Sequence, residues 1–105
     1  MTEEIEKRFQ GLTCIAFSGE GCMGCITLVP VLNSVLGGRK DIRLEQVEVS
    51  EDTKDIVTFF GVDRVPTVIL ADDGKEFARC HGYQPEEILE LWIDAKIEEH
   101  FQEKK

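Results

Sequence analysis

The stretch IAFSGEGCMGC, at residues 15–25, runs from an apolar segment straight into two closely spaced cysteines, Cys22 and Cys25. The unbroken apolar run at 14–17, followed by two glycines, is typical of a short strand buried on both faces. Beyond Cys25, apolar residues repeat at helical spacing up to the glycine pair at 37–38, which stops a helix. The cysteines therefore lie where a buried strand turns into a helix.

Two cysteines separated by two residues have a chemical use at the start of a helix. The first helical turn has unpaired backbone N–H groups and a partial positive charge, and both stabilise a thiolate at Cys22. That thiolate can attack a substrate disulfide and form a mixed disulfide. Cys25 lies one turn further on, so it can attack Cys22 in turn and release the reduced product. We therefore expect a redox pair with Cys22 outermost.

A cysteine pair can also be half of a zinc site, which needs two further ligands. Cys80 and His81 are the candidates, but they are adjacent on a predicted strand, so their side chains point to opposite faces. A structural disulfide is disfavoured as well, because the cytosol keeps most thiols reduced. We expect no metal at the pair.

The rest of the chain alternates helices and strands. The spacing of Ile5, Phe9 and Leu12 predicts a short N-terminal helix, and Gly11 is predicted to end it. Turn and capping signals predict strands at 43–49, 65–71 and 76–81, a helix from Ser50 or Asp52 to Phe60, a hairpin turn at 72–75 and a last helix opened by Pro85. On that last helix the spacing predicts one buried face made of Ile88, Leu91, Trp92, Ala95 and Glu99.

This element order predicts the fold class. A strand–helix–strand unit needs a right-handed crossover between parallel strands, and the last two strands form an antiparallel hairpin. The chain is therefore expected to be an α/β protein with a mixed four-stranded sheet and helices on both faces. Its 105 residues fit a single domain over residues 1–105.

The motif and three later features together resemble the thioredoxin family. Pro30 follows Cys25 by five residues, where that family carries its helix-kinking proline, and Val65-Pro66-Thr67 resembles the family's cis-proline loop. Gly74 and Gly82 fall at the spacing of its hairpin glycine and its groove glycine. The resemblance covers the chain from about residue 13 to the C-terminus and implies a thioredoxin-like fold.

The resemblance also implies roles for individual residues. Cys22 would be the nucleophile and Cys25 the resolving thiol. The substrate groove would include Pro66, in a cis peptide bond facing the sulfurs, Val65, whose backbone groups would face a bound strand, Gly82 and, at the rim, the flexible Met23. The family reading is a protein-disulfide reductase or electron carrier that needs no cofactor beyond the reversible Cys22–Cys25 disulfide. Its electrons would come from a thioredoxin-reductase-type donor and pass to protein disulfides.

The sequence also departs from the family pattern. Gly21 stands where a tryptophan usually precedes the first cysteine, and Met23-Gly24 replaces the usual Gly-Pro. Ala16 occupies the position of a buried acid that helps to deprotonate the resolving thiol, and Gln46 or a neighbour replaces the lysine that partners this acid. Cys25 is therefore expected to lose its proton to water, to the departing thiolate or to some other group.

Three further side chains have candidate roles. His81, just before Gly82, can stabilise the Cys22 thiolate or carry a proton near neutral pH; the alternative is a solvated histidine at a strand end. Cys14 is expected to be an inert core thiol. Cys80 is either a packed side chain or a thiol open to oxidation and glutathionylation.

Composition narrows the range of partners. The net charge is −9, from 12 Lys and Arg against 21 Asp and Glu. This acidic balance argues against nucleic acid and anionic membrane surfaces as binding partners. The longest apolar stretches, such as 65–71, are too short to span a bilayer. The N-terminus has neither a basic start nor an apolar signal core, so we expect a cytoplasmic protein. We also expect a monomer.

Two other functions stay open on the residues alone. One is a glutaredoxin-like enzyme that uses glutathione, for which Arg64 and Lys54 are the basic residues near Pro66. The other is a non-catalytic binding or iron–sulfur module with Cys22 as a ligand. Pro30 and the order Val65-Pro66-Thr67 favour the two-thiol reductase.

Overall fold

The centre of the fold is a mixed four-stranded sheet. In the computed structural model, which describes residues 2–103, the strands are β1 (Leu12–Ser18), β2 (Arg43–Glu48), β3 (Thr67–Asp72) and β4 (Lys75–His81). Their order across the sheet is β2-β1-β3-β4. β1 is parallel to β2 and antiparallel to β3, and β4 is antiparallel to β3. The predicted mixed sheet is confirmed.

Helices cover both faces of the sheet. They are α1 (Thr2–Arg8), α2 (Met23–Leu36), α3 (Lys54–Phe60), which follows a 3₁₀ turn (Glu51–Thr53), and α4 (Glu86–Glu103). α2 and α4 pack on one face, whereas α1 and α3 pack on the other. Between residues 2 and 103, no helix has the length and apolarity that crossing a bilayer requires.

Strand β1 anchors the core, since all five residues at 13–17 are buried. Side chains alternate along a strand, so Cys14 and Ala16 pack with α2 and α4, while Ile15 and Phe17 pack with α1 and α3. Burial of a side chain as large as Ile15 or Phe17 stabilises the fold by about 1.5–3 kcal/mol. The C-terminal end of β1, where the cysteine motif begins, is therefore held in place from both sides.

The hairpin predicted at 72–75 is confirmed. Asp73 and Gly74 have positive φ angles of 52° and 81°, as a two-residue type I′ turn requires. Gly74 is needed for a second reason, because a Cβ atom there would lie 2.8 Å from Cα of Glu6 in α1. The hairpin thus packs directly on the N-terminal helix.

Two predicted boundaries are wrong. Leu12 is the first residue of β1 rather than part of the N-terminal helix, which ends at Arg8 before the positive φ of 75° at Gly11. The strand predicted at 65–71 begins only at Thr67, because the preceding proline has no N–H to donate to a sheet ladder.

The predicted buried face of α4 is wrong except at Trp92, which is half-buried against the cluster of α2 and α4. The structure buries Leu89, Ile93 and Ile97, while Leu91 is 70 % exposed and Ile88 is 54 % exposed. The two stripes differ by a rotation of one residue, and both have helical spacing. The buried stripe presents large apolar side chains over three turns, whereas the predicted one ends in Ala95 and Glu99.

Candidate active site

The two cysteines of the motif lie at the N-terminal end of α2 and are joined by a disulfide. Cys22 caps the helix with extended backbone angles (φ −87°, ψ 104°), and its sulfur accepts a hydrogen bond from the N–H of Cys25 at 3.1 Å. Their Cα atoms are 5.3 Å apart. Cys22 is half-buried, whereas only 4 % of Cys25 is exposed. Cys22 is therefore the sulfur that a substrate can reach.

The turn between β1 and α2 presents Cys22 at the surface. The N–H of Cys22 donates to the carbonyl of Gly19 at 3.3 Å. Gly21 has a φ of 74°, a conformation that favours glycine. Gly19 lies against the loop before β3, since a Cβ atom at this position would be 3.2 Å from Cγ2 of Val65. The motif is thus braced against a segment distant in sequence.

That bracing segment contains Pro66, which is buried and follows a cis Val65–Pro66 peptide bond. A Cβ atom at Gly24 would lie 3.4 Å from Cδ of Pro66, so the first turn of α2 lies directly against the proline ring. The carbonyl of Pro66 accepts a hydrogen bond from the N–H of Gly82 at 2.9 Å. The structure therefore brings Val65, Pro66 and Gly82 together beside the cysteine pair.

Apolar side chains are exposed next to Cys22. Met23 is 75 % exposed and Ile26 is 67 % exposed, although both belong to α2. They cover the rim of the site, where an apolar segment of a protein substrate can bury them on contact. Met23 therefore lies at the edge of the site, and its part in binding a substrate stays a prediction.

Two grooves border the turn before the cysteine pair, and Gly19 lines both of them. The first has a volume of about 350 Å³ and is lined by Gly19, Glu20, Val49, Val62, Asp63, Arg64 and Val65. In it, the Arg64 guanidinium donates to Asp63 at 3.2 Å and holds the pKa of that carboxyl below its usual value. The second groove, about 240 Å³, is lined by Ser18, Gly19, Gly21, Cys22, Cys25, Ile26, Val29 and Glu48. The second is the one that both cysteines line.

Comparison with known proteins fits this geometry. The family model for thioredoxin matches residues 2–95. The chain belongs to the thioredoxin family. It is 32 % identical to the thioredoxin of Chlamydia pneumoniae over 79 residues, which is 75 % of this chain and 76 % of that protein. It is 34 % identical to the thioredoxin of Chlamydia caviae over the same shares of the two chains. With two cysteines at disulfide distance, this thioredoxin-family protein is a thiol–disulfide oxidoreductase.

Solved thioredoxin structures show the same fold. The thioredoxin of Fasciola hepatica superposes with a TM-score of 0.74 at 22 % identity. The match covers 90 % of this chain and 89 % of the Fasciola hepatica chain. The thioredoxin of Aeropyrum pernix gives a TM-score of 0.72 at 16 % identity. This match covers 90 % of this chain and 82 % of the Aeropyrum pernix chain. The thioredoxin-like fold predicted from the sequence is therefore confirmed.

The departures from the thioredoxin pattern take a definite form in the structure. Ala16 is buried in β1 on the face that packs against α2, and its partner in the parallel β1–β2 register is Gln46. Ala16 has no proton-accepting group, and Gln46, which is exposed, has only a neutral amide. Ala16 and Gln46 thus meet across the strands, and neither carries a charge.

His81 lies near the site but bonds to Thr67. Its Nδ1 is 3.1 Å from Oγ1 of Thr67, and that hydroxyl donates to the carbonyl of Arg64 at 2.6 Å. Because the hydroxyl hydrogen is used there, Nδ1 of His81 carries the hydrogen and donates to Thr67. His81 is exposed, so Nε2 is left to solvent or to a partner. Its role toward Cys22 stays a prediction.

The two remaining cysteines are held as neutral thiols. Burial, and to a lesser degree the neighbouring Cys80, raises the pKa of Cys14 from 9.0 to about 12. Burial raises the pKa of Cys80 from 9.0 to about 11. Both pack on the face of α2 and α4. Among residues 2–103, no three His, Cys, Asp or Glu side chains are grouped to hold a metal ion.

Glu48, the last residue of β2, lines the second groove with both cysteines, and the sequence did not predict it as a site residue. It lies beside Ser18 in the strand register. The alternation of Val47 and Val49 around it was visible in the sequence, and it places Glu48 on the opposite side of the strand from Val47. The identity of the neighbouring strand was not visible.

Proposed function

We propose that this thioredoxin-family oxidoreductase works as a protein-disulfide reductase and electron carrier. In this proposal Cys22 is the nucleophile and Cys25 is the resolving thiol. Val65, Pro66, Gly82 and Met23 form the surface that receives the substrate strand, and His81 modulates the site. The Cys22–Cys25 disulfide is the redox group, with no other cofactor.

The observation that carries the proposal is the unequal exposure of the two sulfurs at a helix start. Cys22 is reachable and its sulfur already accepts the N–H of Cys25, a donor that equally serves a thiolate. Cys25 lies beneath it, almost fully buried. Such an arrangement favours attack on large substrates through Cys22 and intramolecular release through Cys25.

The reaction balances as two disulfide exchanges. The Cys22 thiolate attacks one sulfur of the substrate disulfide, forming the mixed disulfide and expelling the first substrate thiolate, which takes up a proton. Cys25, having lost its proton, then attacks the sulfur of Cys22. This forms the Cys22–Cys25 disulfide and releases the second substrate thiol, so two electrons and two protons have passed to the substrate.

The proposal includes where and with whom the protein works. A dithiol carrier turns over only if a donor reduces its disulfide again, and we assign this step to a thioredoxin-reductase-type flavoenzyme. The reducing cytoplasm is the matching compartment. Residues 1–105 act as one thioredoxin-like domain and as a monomer, which sedimentation of the purified chain tests.

Reductase-coupled reduction of insulin disulfides tests the function. The parent chain and Cys80→Ser, a control that removes a cysteine outside the site, are expected to be active. Cys22→Ser and Cys25→Ser are expected to lose multiple turnover, and Cys25→Ser is expected to accumulate a mixed disulfide. An inactive parent that still supports glutathione-coupled reduction in Cys25→Ser would replace the proposal by the glutaredoxin-like function. Visible absorption of anaerobically purified protein would indicate the iron–sulfur alternative.

A further inference from the structure

Cys25 needs a proton acceptor that its surroundings do not obviously supply. Only 4 % of the residue is exposed, and a buried thiol is poorly placed to give its proton to bulk water. The neighbouring strand position on the same face is Ala16, which has no acid–base group. The proton therefore has to leave through the groove that reaches the sulfur.

That groove contains one carboxylate among its lining residues. Of the side chains that line it, Glu48 is the one that carries a charge, and the others are the two cysteines, Ser18, glycines and apolar residues of α2. The groove volume of about 240 Å³ is enough for several water molecules, each of which occupies about 30 Å³ in the liquid. A carboxylate and a buried thiol thus border the same space.

The strand geometry directs Glu48 into this space. Val47 belongs to the buried cluster of α1 and α3, so its neighbour Glu48 faces the side of α2. Both polar groups of the peptide that follows the residue are bonded: Val49 N–H donates to the carbonyl of Ser18 at 2.7 Å, and Thr53 Oγ1 donates to the carbonyl of Glu48 at 2.6 Å. The side chain therefore extends from a fixed position on the sheet edge.

We propose that the carboxylate of Glu48 accepts the proton of Cys25, through water in the groove, when the mixed disulfide is resolved. The Cys25 thiolate so formed attacks the sulfur of Cys22, the bond from Cys22 to the substrate sulfur breaks, and the substrate leaves as a thiolate. Glu48 then returns its proton to that thiolate or to solvent. The inference rests on the roles proposed above for Cys22 and Cys25.

The other charged groups near the site have different surroundings. Glu20, Asp63 and Arg64 line the groove on the Val65 side of the turn, where Asp63 and Arg64 pair with each other. Glu51 and Asp52 belong to the exposed 3₁₀ turn that follows β2. Glu20→Gln is therefore a matched control, because it removes the same charge from the same end of the sheet but from the other groove.

The direction of the effect separates a proton acceptor from a bystander charge. A carboxylate that acts only through its field disfavours the Cys25 thiolate, so its removal would speed resolution. A carboxylate that takes the proton speeds resolution, so its removal slows the step. General bases of this kind contribute about 10²–10⁴-fold to a rate. The two roles thus predict opposite signs.

The test is single-turnover reaction of the reduced protein with dithiodipyridine, an uncharged disulfide that releases one coloured thiopyridone at each step. The first release reports attack by Cys22, and the second reports attack by Cys25. Near neutral pH, Glu48→Gln is expected to slow the second release about tenfold or more and to leave the first nearly unchanged. Glu48→Asp is expected to give a second release between those of the parent and Glu48→Gln. Glu20→Gln is expected to release the second thiopyridone as fast as the parent does.

An unchanged or faster second release in Glu48→Gln would overturn the proposal, as would an equal slowing in Glu20→Gln. Because residue 48 is exposed, its substitution is expected to leave the thermal midpoint unchanged, which circular dichroism checks. Failure of the roles of Cys22 and Cys25 would look different. In that case the second release would persist in Cys25→Ser.

Discussion

Reaction with an alkylating reagent is expected to separate Cys22 from Cys14 and Cys80 by orders of magnitude. Burial raises the pKa of Cys80 from 9.0 to about 11. At pH 7 this leaves about one Cys80 side chain in 10⁴ as thiolate, against about one in 10² at the ordinary value. Since the thiolate is the reacting form, Cys80 is expected to react about 100-fold more slowly than an unperturbed cysteine.

The assay uses the fully reduced protein, iodoacetamide at a series of pH values and peptide mass spectrometry. Cys22 is expected to be labelled first. The rate at Cys80 is expected to rise about tenfold per pH unit and to level off near pH 11, because the thiolate fraction does so. Cys14, whose pKa is about 12, is expected to react more slowly still. The denatured chain is the control, in which all the cysteines are expected to react at similar rates.

Labelling of Cys80 at pH 7 that is as fast in the folded as in the denatured protein would contradict this prediction. Burial would then not control its acidity, and Cys80 would be the thiol open to oxidation and glutathionylation that the sequence left as an alternative. Slow labelling would instead restrict reversible oxidation to the Cys22–Cys25 pair.

Three further predictions concern stability, each measured by denaturant unfolding. Leu89→Ala is expected to cost about 2–5 kcal/mol because it opens a cavity, whereas Leu91→Ala, 70 % exposed, is expected to stay within about 0.5 kcal/mol; the reverse order would restore the face of α4 predicted from sequence. Gly11→Ala is expected to lose about 1–2 kcal/mol for its positive φ, and Gly74→Ala about 1–3 kcal/mol more because its Cβ meets α1; equal losses would contradict that close approach. The raised pKa of Cys14 means that the folded state holds the thiol proton more tightly than the unfolded state. The contribution of Cys14 to stability is therefore complete below pH 9 and is expected to be lost at about 1.4 kcal/mol per pH unit between pH 9 and about 12, in addition to a similar loss from Cys80 up to about pH 11; an identical slope in Cys14→Ala would refute this.

The cysteine pair could be predicted from sequence because its chemistry is local. A buried strand, a glycine turn and a helix start follow one another within residues 14–25, and neighbours along the chain determine each of them. Val65-Pro66 was found only through the family resemblance, since nothing in the residues near it points to Cys22. The hairpin at 72–75 was predictable for the same reason as the cysteine pair, because its turn residues are adjacent.

The buried face of α4 and the place of Glu48 could not be predicted, because both depend on contacts between distant segments. The stripes of α4 that begin at Ile88 and Leu89 have the same period, and packing on α2 and β4 selects the second. The relation of Glu48 to Cys25 depends on the parallel register that pairs Ser18 with Glu48, and residue spacing contains no register between strands. The missing acid at Ala16 was visible in the sequence. The carboxylate of Glu48, which lines a groove together with Cys25, was not.

The antiparallel pairing of β1 with β3 has a consequence for the order in which the site comes into being. Leu12 pairs with Asp72, and Val65 braces the turn at Gly19, so the contacts that shape the site join segments about half the chain apart. During synthesis from the N-terminus, the cysteines emerge well before residues 65–82. A growing chain therefore carries both thiols before residues 65–82, which form the proposed substrate surface, have been made.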